Sequence, residues 1–370
     1  MSRRAPTLEQ LRRYAIARSL FAPTTLARAI AKLGFVQADP IRAPARAQDL
    51  ILRHRVRGYY VGELEQRYPK LKLDEGFFVN YGFLPHELYA LMHPRVVGKT
   101  RMPWTAKHQT RATQLIDFIT DRGSVHPREV DELFGHGRVK NYWGGMSNAT
   151  THLLHAMHYR GLLRVVRRDT GIRIYAVHER PSATLIPTER DARLDALIDL
   201  AVHTYAPLPS ATLAWLANRL RYGAPQWASQ INPTLKRARE RLAHARIDKV
   251  DWYWPADEHP ASPRHRVDQH VRLLTPFDPV VWDRRRFELF WRWTYRFEAY
   301  TPIARRKLGY YALPLLWGEH VIGWANASVQ DNALSCELGF VDERPRDPSF
   351  ERELAAELAR MRTFLSLEGG

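Results

Sequence analysis

Twice along this chain three helical stretches are followed by a short strand segment, and no other feature of the sequence restricts the fold as much. In the first run a helix over about 106–122 is followed by Ser124-Val125-His126-Pro127-Arg128-Glu129-Val130, the capped start of a short helix, and then by a longer helix over about 147–160 that stops at Gly161. Two alternating segments, 162–167 and 172–177, flank Arg168-Asp169-Thr170-Gly171, the pattern of a hairpin with a glycine in its turn. In the second run helices over about 189–205, 209–220 and 232–245 precede a strand at 249–254. Helix, helix, helix, hairpin is the order of a winged helix, and Arg164, Arg167 and Arg168 put positive charge on the wing of the first one.

The N-terminal stretch has a related texture. Thr7-Leu8-Glu9-Gln10 has capping-box spacing and opens a helix to about residue 20. A second starts near Pro23, carries Leu26, Ile30 and Leu33 on its apolar face and ends at Gly34. A third, over about 44–56, has Arg42 and Arg46 at its opening. Residues 59–101 are mixed, with helical pieces near 61–68 and 85–92. From Val271 onward the texture becomes that of strands, closed by an amphipathic helix over about 349–364. The expected class is α+β and mainly helical, with tandem winged helix-turn-helix domains over 1–104, 105–187 and 188–268 and a β-barrel-like module over 269–370.

Charge narrows the partner. The 370 residues carry 56 Lys+Arg against 39 Asp+Glu, a net charge of +17, and the first sixty alone hold twelve Arg/Lys against Glu9, Asp39 and Asp49. An arginine-rich proteome would raise basicity everywhere, whereas this clustering points to a polyanion. Arginine's planar fork suits phosphates and base edges. The single cysteine, Cys336, can form neither an intrachain disulfide nor a cysteine-based zinc site, which fits a reducing compartment. No run of about 18 apolar residues and no apolar signal core is present, so a soluble, cytoplasmic, nucleoid-associated protein is expected.

Chemistry centres on Gly34-Phe35-Val36-Gln37-Ala38-Asp39-Pro40. In an extended segment residues two apart share a face, so the Gln37 amide and the Asp39 carboxylate can converge on one point. A carboxylate and an amide in a basic cleft suit a hydrolysis in which water attacks a carbocation-like centre. The same two residues also suit a structural role, because Asp before Pro is common in turns. His152, His155 and His158 recur every three residues on one helix, but no acidic or sulfur ligand accompanies them, so no metal and no cofactor is expected. P-loop, GxGxxG, GxSxG and HExxH motifs are absent, which argues against nucleoside triphosphate chemistry.

Leu33-Gly34-Phe35-Val36-Gln37-Ala38-Asp39-Pro40 and Ala45-Arg46-Ala47-Gln48-Asp49-Leu50 are followed far downstream by Leu274-Thr275-Pro276-Phe277-Asp278-Pro279-Val280-Val281-Trp282-Asp283-Arg284-Arg285-Arg286, by Tyr295-Arg296-Phe297-Glu298-Ala299-Tyr300 and by Gly309-Tyr310-Tyr311. Together these resemble the bacterial interstrand crosslink DNA glycosylases, the AlkZ and AlkX (YcaQ-like) proteins, over nearly the whole chain. The resemblance implies tandem winged helices with a β-barrel. It implies that Gln37 and Asp39, the aspartate-bearing AlkX-like version of the family's signature, carry N-glycosidic hydrolysis on alkylated or crosslinked duplex DNA. Where the family has a His-Glu-Ala-like element after an aromatic stretch, this chain has Phe78-Val79-Asn80-Tyr81-Gly82-Phe83-Leu84-Pro85. A guanine alkylated at N7 is cationic and already a good leaving group, so one carboxylate to stabilise the sugar cation and one amide to place water suffice.

The candidate DNA contacts are Arg42, Arg46, Arg164, Arg167, Arg168, Arg284, Arg285 and Arg286, the last three expected at the edge of the barrel facing the duplex. Two other readings remain open. A non-enzymatic winged helix regulator would predict operator binding by a dimer, yet no heptad or dimerisation helix is visible and a monomer is expected. An RNA-binding protein is compatible with the 11 Trp and 16 Tyr.

Overall fold

The Thr7 hydroxyl accepts the Gln10 N–H while the Gln10 side chain accepts the Thr7 N–H, a reciprocal cap that opens the helix Leu8–Ser19. This chain is described here from a computed structural model covering residues 5–95, 104–135, 137–140, 146–178 and 186–367. Arg3 and Arg4 of the basic N-terminal stretch lie outside the described residues. The chain forms two compact units that interleave in sequence. One comprises residues 1–63, 198–216 and 235–370, and the other 64–197 and 217–234.

In the first unit the helix Leu26–Leu33 ends at Gly34, whose φ of 72° requires glycine; a Cβ there would also meet Leu200 Cδ1 at 2.5 Å. The chain then runs as the two-residue strand Val36–Gln37 and re-enters a helix at Ala47–Leu52, shorter than the expected 44–56. The C-terminal part is an antiparallel sheet in the order Val271–Leu273, Leu313–Trp317, His320–Gln330, Ala333–Phe340. Its first and last strands are edges, so the described strands form an open sheet, within the sheet or β-barrel-like module expected there. The last hairpin turns through Asp331 and Asn332, both at positive φ, the chemistry of a type I′ turn.

The helix Pro348–Phe364 lies against this sheet, and its buried Glu357 accepts the Leu273 N–H at 3.0 Å. A shared core of Ile16, Leu274, Val280, Val281, Phe287, Tyr295, Ala312, Leu316 and Val321 ties the first helix to the sheet. Each fully buried Val, Leu, Ile or Phe of this core contributes about 1.5–3 kcal/mol relative to exposure. Also in this unit, the hairpin Ala243–Ile247 with Val250–Trp254 turns at Asp248 and Lys249. The basic helix before it, Ile231–Arg241, ends sooner than the expected 245 because residues 243–247 are already strand.

The second unit contains the helices Ala106–Arg122, Pro127–Phe134 and Ala149–Tyr159 followed by the hairpin Leu163–Asp169 and Ile172–Val177, the order expected. Thr170 and Gly171 make its turn, both at positive φ. A second hairpin, Leu73–Phe77 with Tyr81–Pro85, occupies a region expected to be mixed and partly helical. Among the described residues no helix is long and apolar enough to cross a membrane.

Candidate active site

Leu33 closes a helix, Gly34 turns the chain, and Phe35 and Val36 bury their side chains, so the next residues leave the core at a fixed place. Gln37 is buried and Asp39 half-buried. The Asp39 backbone N–H donates to Gln48 Oε1 at 3.4 Å, and Gln48 is itself buried on the following helix. Asp39 Oδ1 accepts the Ile41 N–H at 3.0 Å, the two-residue side-chain turn typical of Asp before Pro. The structural role open at the sequence level is therefore present, but it uses one carboxylate oxygen; among the described residues Oδ2 accepts no hydrogen bond. Burial holds the Asp39 carboxyl above the ordinary carboxylate range, partly opposed by the Ile41 N–H.

The surroundings of Asp39 come from the far end of the chain. Its charge acts on Tyr311 and on Tyr300, whose phenols are raised first by their own burial and further by Asp39. Tyr311 is buried with its hydroxyl 3.0 Å from Thr275 Oγ1, which fixes the ring. Phe297 meets Phe277 edge-on at 5.2 Å and Tyr311 at 5.3 Å, so an aromatic wall stands beside the carboxylate.

An internal ion pair is one of the links between the segment that follows Asp39 and the segment that precedes Tyr300. Arg55, fully buried, donates through Nη1 and Nη2 to Asp278 at 2.8 and 3.0 Å and also to the carbonyls of Ser19 and Ile51. Asp278 in turn accepts the Val280 N–H, locking the Thr275–Val281 bend. Nearby, His54 Nε2 lies 3.1 Å from the Leu273 carbonyl, and Arg53 pairs with Glu357. Asp49 accepts the Tyr59 hydroxyl at 2.8 Å and the Gly62 N–H at 3.2 Å, which ties down the segment leaving the helix.

The arginines expected at DNA divide sharply. Arg42 is exposed, and Arg46 is half-buried at the N-terminus of the helix Ala47–Leu52. On the hairpin, Arg167 is exposed and Arg164 half-buried, 3.9 Å from Asp74. Arg168 is instead turned inward: its Nε lies 3.1–3.2 Å from both oxygens of buried Glu75, so the guanidinium is committed to an internal carboxylate. The triplet Arg284, Arg285 and Arg286 does not form the expected barrel edge; it opens the helix Arg284–Trp291, capped by Asp283.

Arg286 is 0 % exposed and donates to the carbonyls of Tyr205, Pro207, Pro279 and Val280. Arg284 is half-buried, bound to the Val281 and Pro276 carbonyls with its guanidinium 4.5 Å from the Tyr295 ring. Only Arg285 of the three is exposed, so Arg168, Arg284 and Arg286 serve the interior where surface contacts were expected. Of the helical histidines, His152 faces out while His158 is buried with Nε2 3.0 Å from the Glu75 carbonyl.

The sequence reading assigned no role to Gln48, Arg55, Thr275, Asp278, Phe297, Tyr300 or Tyr311, although most lie within the stretches that carry the family resemblance. A buried Arg–Asp pair so far apart in sequence leaves no local signal.

The fold has a counterpart among solved structures. Streptomyces sahachiroi DNA glycosylase AlkZ superposes with a TM-score of 0.60 over 98% of this chain and 97% of that one, at 13% sequence identity, a likeness of fold. The family model for DNA glycosylase AlkZ-like proteins matches residues 30–364, a span that holds Gln37, Asp39, the Arg55–Asp278 pair and the aromatic wall. This chain therefore belongs to the AlkZ-like DNA glycosylase family.

Proposed function

We propose that the protein is a monofunctional DNA glycosylase that hydrolyses the N-glycosidic bond of N7-alkylated purines and unhooks interstrand crosslinks, with Gln37 and Asp39 as its catalytic pair in the AlkX-like manner. The observation that carries this reading is the state of Asp39: a half-buried carboxylate with Oδ1 anchored by the Ile41 N–H and Oδ2 open, in a member of a glycosylase family. An anchored carboxylate keeps its direction, and partial burial strengthens its field on a cation that forms beside it. An N7-alkylated guanine leaves as a neutral base, so the barrier lies in forming the oxocarbenium-like sugar and delivering water to it. Asp39 stabilises that sugar cation, Gln37 orients the water, and the proton released by water passes to Asp39 or to solvent. The products are a free base and an abasic site.

The runs of three helices and a hairpin act on this reading as winged helices, with Arg42, Arg46, Arg164, Arg167 and Arg285 holding duplex phosphates. Phosphate contacts of this kind position the duplex without reading its sequence. The test is release of free 7-methylguanine from methylated duplex DNA, and separation of the strands of a nitrogen-mustard crosslink, by purified protein without added nucleotide or metal. A protein that binds duplex DNA and releases no base from either substrate is instead a winged helix regulator.

A further inference from the structure

Phe297 sits between two tyrosines of different character. Its ring is 5.3 Å from buried Tyr311 and 5.9 Å from Tyr300, edge-on to both. Tyr300, at the outer end of this row, is 65 % exposed, and it stands close enough to Asp39 to feel that charge. The loop that carries Tyr300 is firmly held. Buried Glu298 accepts the N–H groups of Lys307 and Leu308 through Oε2, each at 2.8 Å, and its own carbonyl accepts the Thr301 N–H at 2.9 Å. Arg306 Nε donates to the Thr301 carbonyl at 2.8 Å, and the same guanidinium lies 5.0 Å from the Tyr310 ring, so a ring of this loop already receives a cation. A buried carboxylate thus clasps a loop whose outer face presents an aromatic ring to solvent near the proposed catalytic carboxylate of Asp39.

We propose that Tyr300 recognises the positive charge of the alkylated purine, its ring face stacking on the cationic base while Asp39 faces the sugar. This rests on the glycosylase reading of Asp39. Alkylation at N7 changes a purine's charge more than its shape, and the face of an aromatic ring attracts a cation through its quadrupole. An undamaged guanine stacks on the same ring without that added attraction. An exposed ring on a clasped loop also suits a base that a crosslink keeps close to the helix, where a closed pocket could not receive it. Tyr300 is accordingly a recognition residue, separate from the bond-breaking pair.

The experiment measures binding without cleavage. A duplex carrying 2′-fluoroarabino-7-methylguanosine, whose glycosidic bond resists hydrolysis, is compared with the same duplex carrying unmethylated 2′-fluoroarabinoguanosine, for wild type, Tyr300→Phe and Tyr300→Leu. Wild type and Tyr300→Phe should both prefer the cationic duplex, and Tyr300→Leu should lose about 3- to 30-fold of that preference, the cationic duplex losing more affinity than the neutral one. An unchanged preference in Tyr300→Leu, an equal loss on both duplexes, or no preference in wild type would overturn the proposal. Because no bond is cleaved, a wild type that binds selectively but releases no base from ordinary 7-methylguanine contradicts only the reading of Asp39. Tyr300 is largely exposed, so thermal midpoints should shift by no more than is usual for surface sites in both variants.

Discussion

Arg285 and Arg286 are chain neighbours with opposite surroundings, and their replacement should separate binding from stability. Arg285→Ala should leave the thermal midpoint within the effect of about 0.5 kcal/mol usual for surface sites and, if the side chain holds a phosphate, lower the salt dependence of DNA binding by about one unit of slope. Arg286→Ala should leave several buried carbonyls without a donor, at about 1–3 kcal/mol or more, visible in urea denaturation. Equal stability of the two variants would contradict the burial described.

Asp39 gives a pH prediction at the same scale. Its carboxyl is raised by burial, and catalysis needs the ionised form, so the single-turnover rate should fall as pH drops through a midpoint above the ordinary carboxylate range. A raised value in the folded state means the native protein holds this proton more tightly than the unfolded chain does. Ionisation at neutral pH then costs stability, and acid relieves that cost. Asp39→Asn should accordingly be as stable as wild type at neutral pH or slightly more so. A rate that stays flat down into the ordinary carboxylate range would show that Asp39 is not the group being titrated.

At the scale of elements, one carboxylate joins distant segments and another clasps the loop around Tyr300. Asp278→Ala should cost about 3–5 kcal/mol, because the Arg55 charge would remain buried without its partner. Glu298→Ala should free the loop around Tyr300 and weaken activity, whereas Glu298→Gln keeps an acceptor for the Lys307 and Leu308 N–H groups and should retain most of it. Comparable activity of the two Glu298 variants would contradict the clasp.

The elements themselves were legible in uneven degree. The Thr7 cap, the Gly34 stop and the Thr170-Gly171 turn are local signals, and each marks an element boundary in the structure. The hairpin Leu73–Phe77 with Tyr81–Pro85 was not legible, because its connection Phe78-Val79-Asn80 lacks the Asn-Gly or Gly-Gly signature of a tight turn. The partition of arginines was hidden for a different reason. Arg286 finds acceptors near position 205 and Arg168 finds Glu75, and pairings across such distances have no sequence period. The motif around Gln37 and Asp39 could be read from spacing and resemblance, whereas its aromatic surroundings come from the far end of the chain.

For the whole molecule, the +17 charge predicts duplex binding dominated by phosphate contacts. With about six phosphates neutralised, the logarithm of the binding constant should fall with the logarithm of salt at a slope of roughly −5. Salt-independent affinity would contradict a phosphate-bound duplex even after three of the eight candidate arginines are assigned to the interior.

The central claim is that the open oxygen of Asp39 stabilises a sugar cation, and one comparison tests it most directly: single-turnover release of 7-methylguanine from a defined duplex by wild type and by Asp39→Asn. The substitution keeps shape and the Ile41 contact while removing the charge. The rate should fall by roughly 100-fold or more, with binding to the same duplex equal or tighter because a negative charge near phosphates is gone. An Asp39→Asn protein that releases the base as fast as wild type would contradict the account.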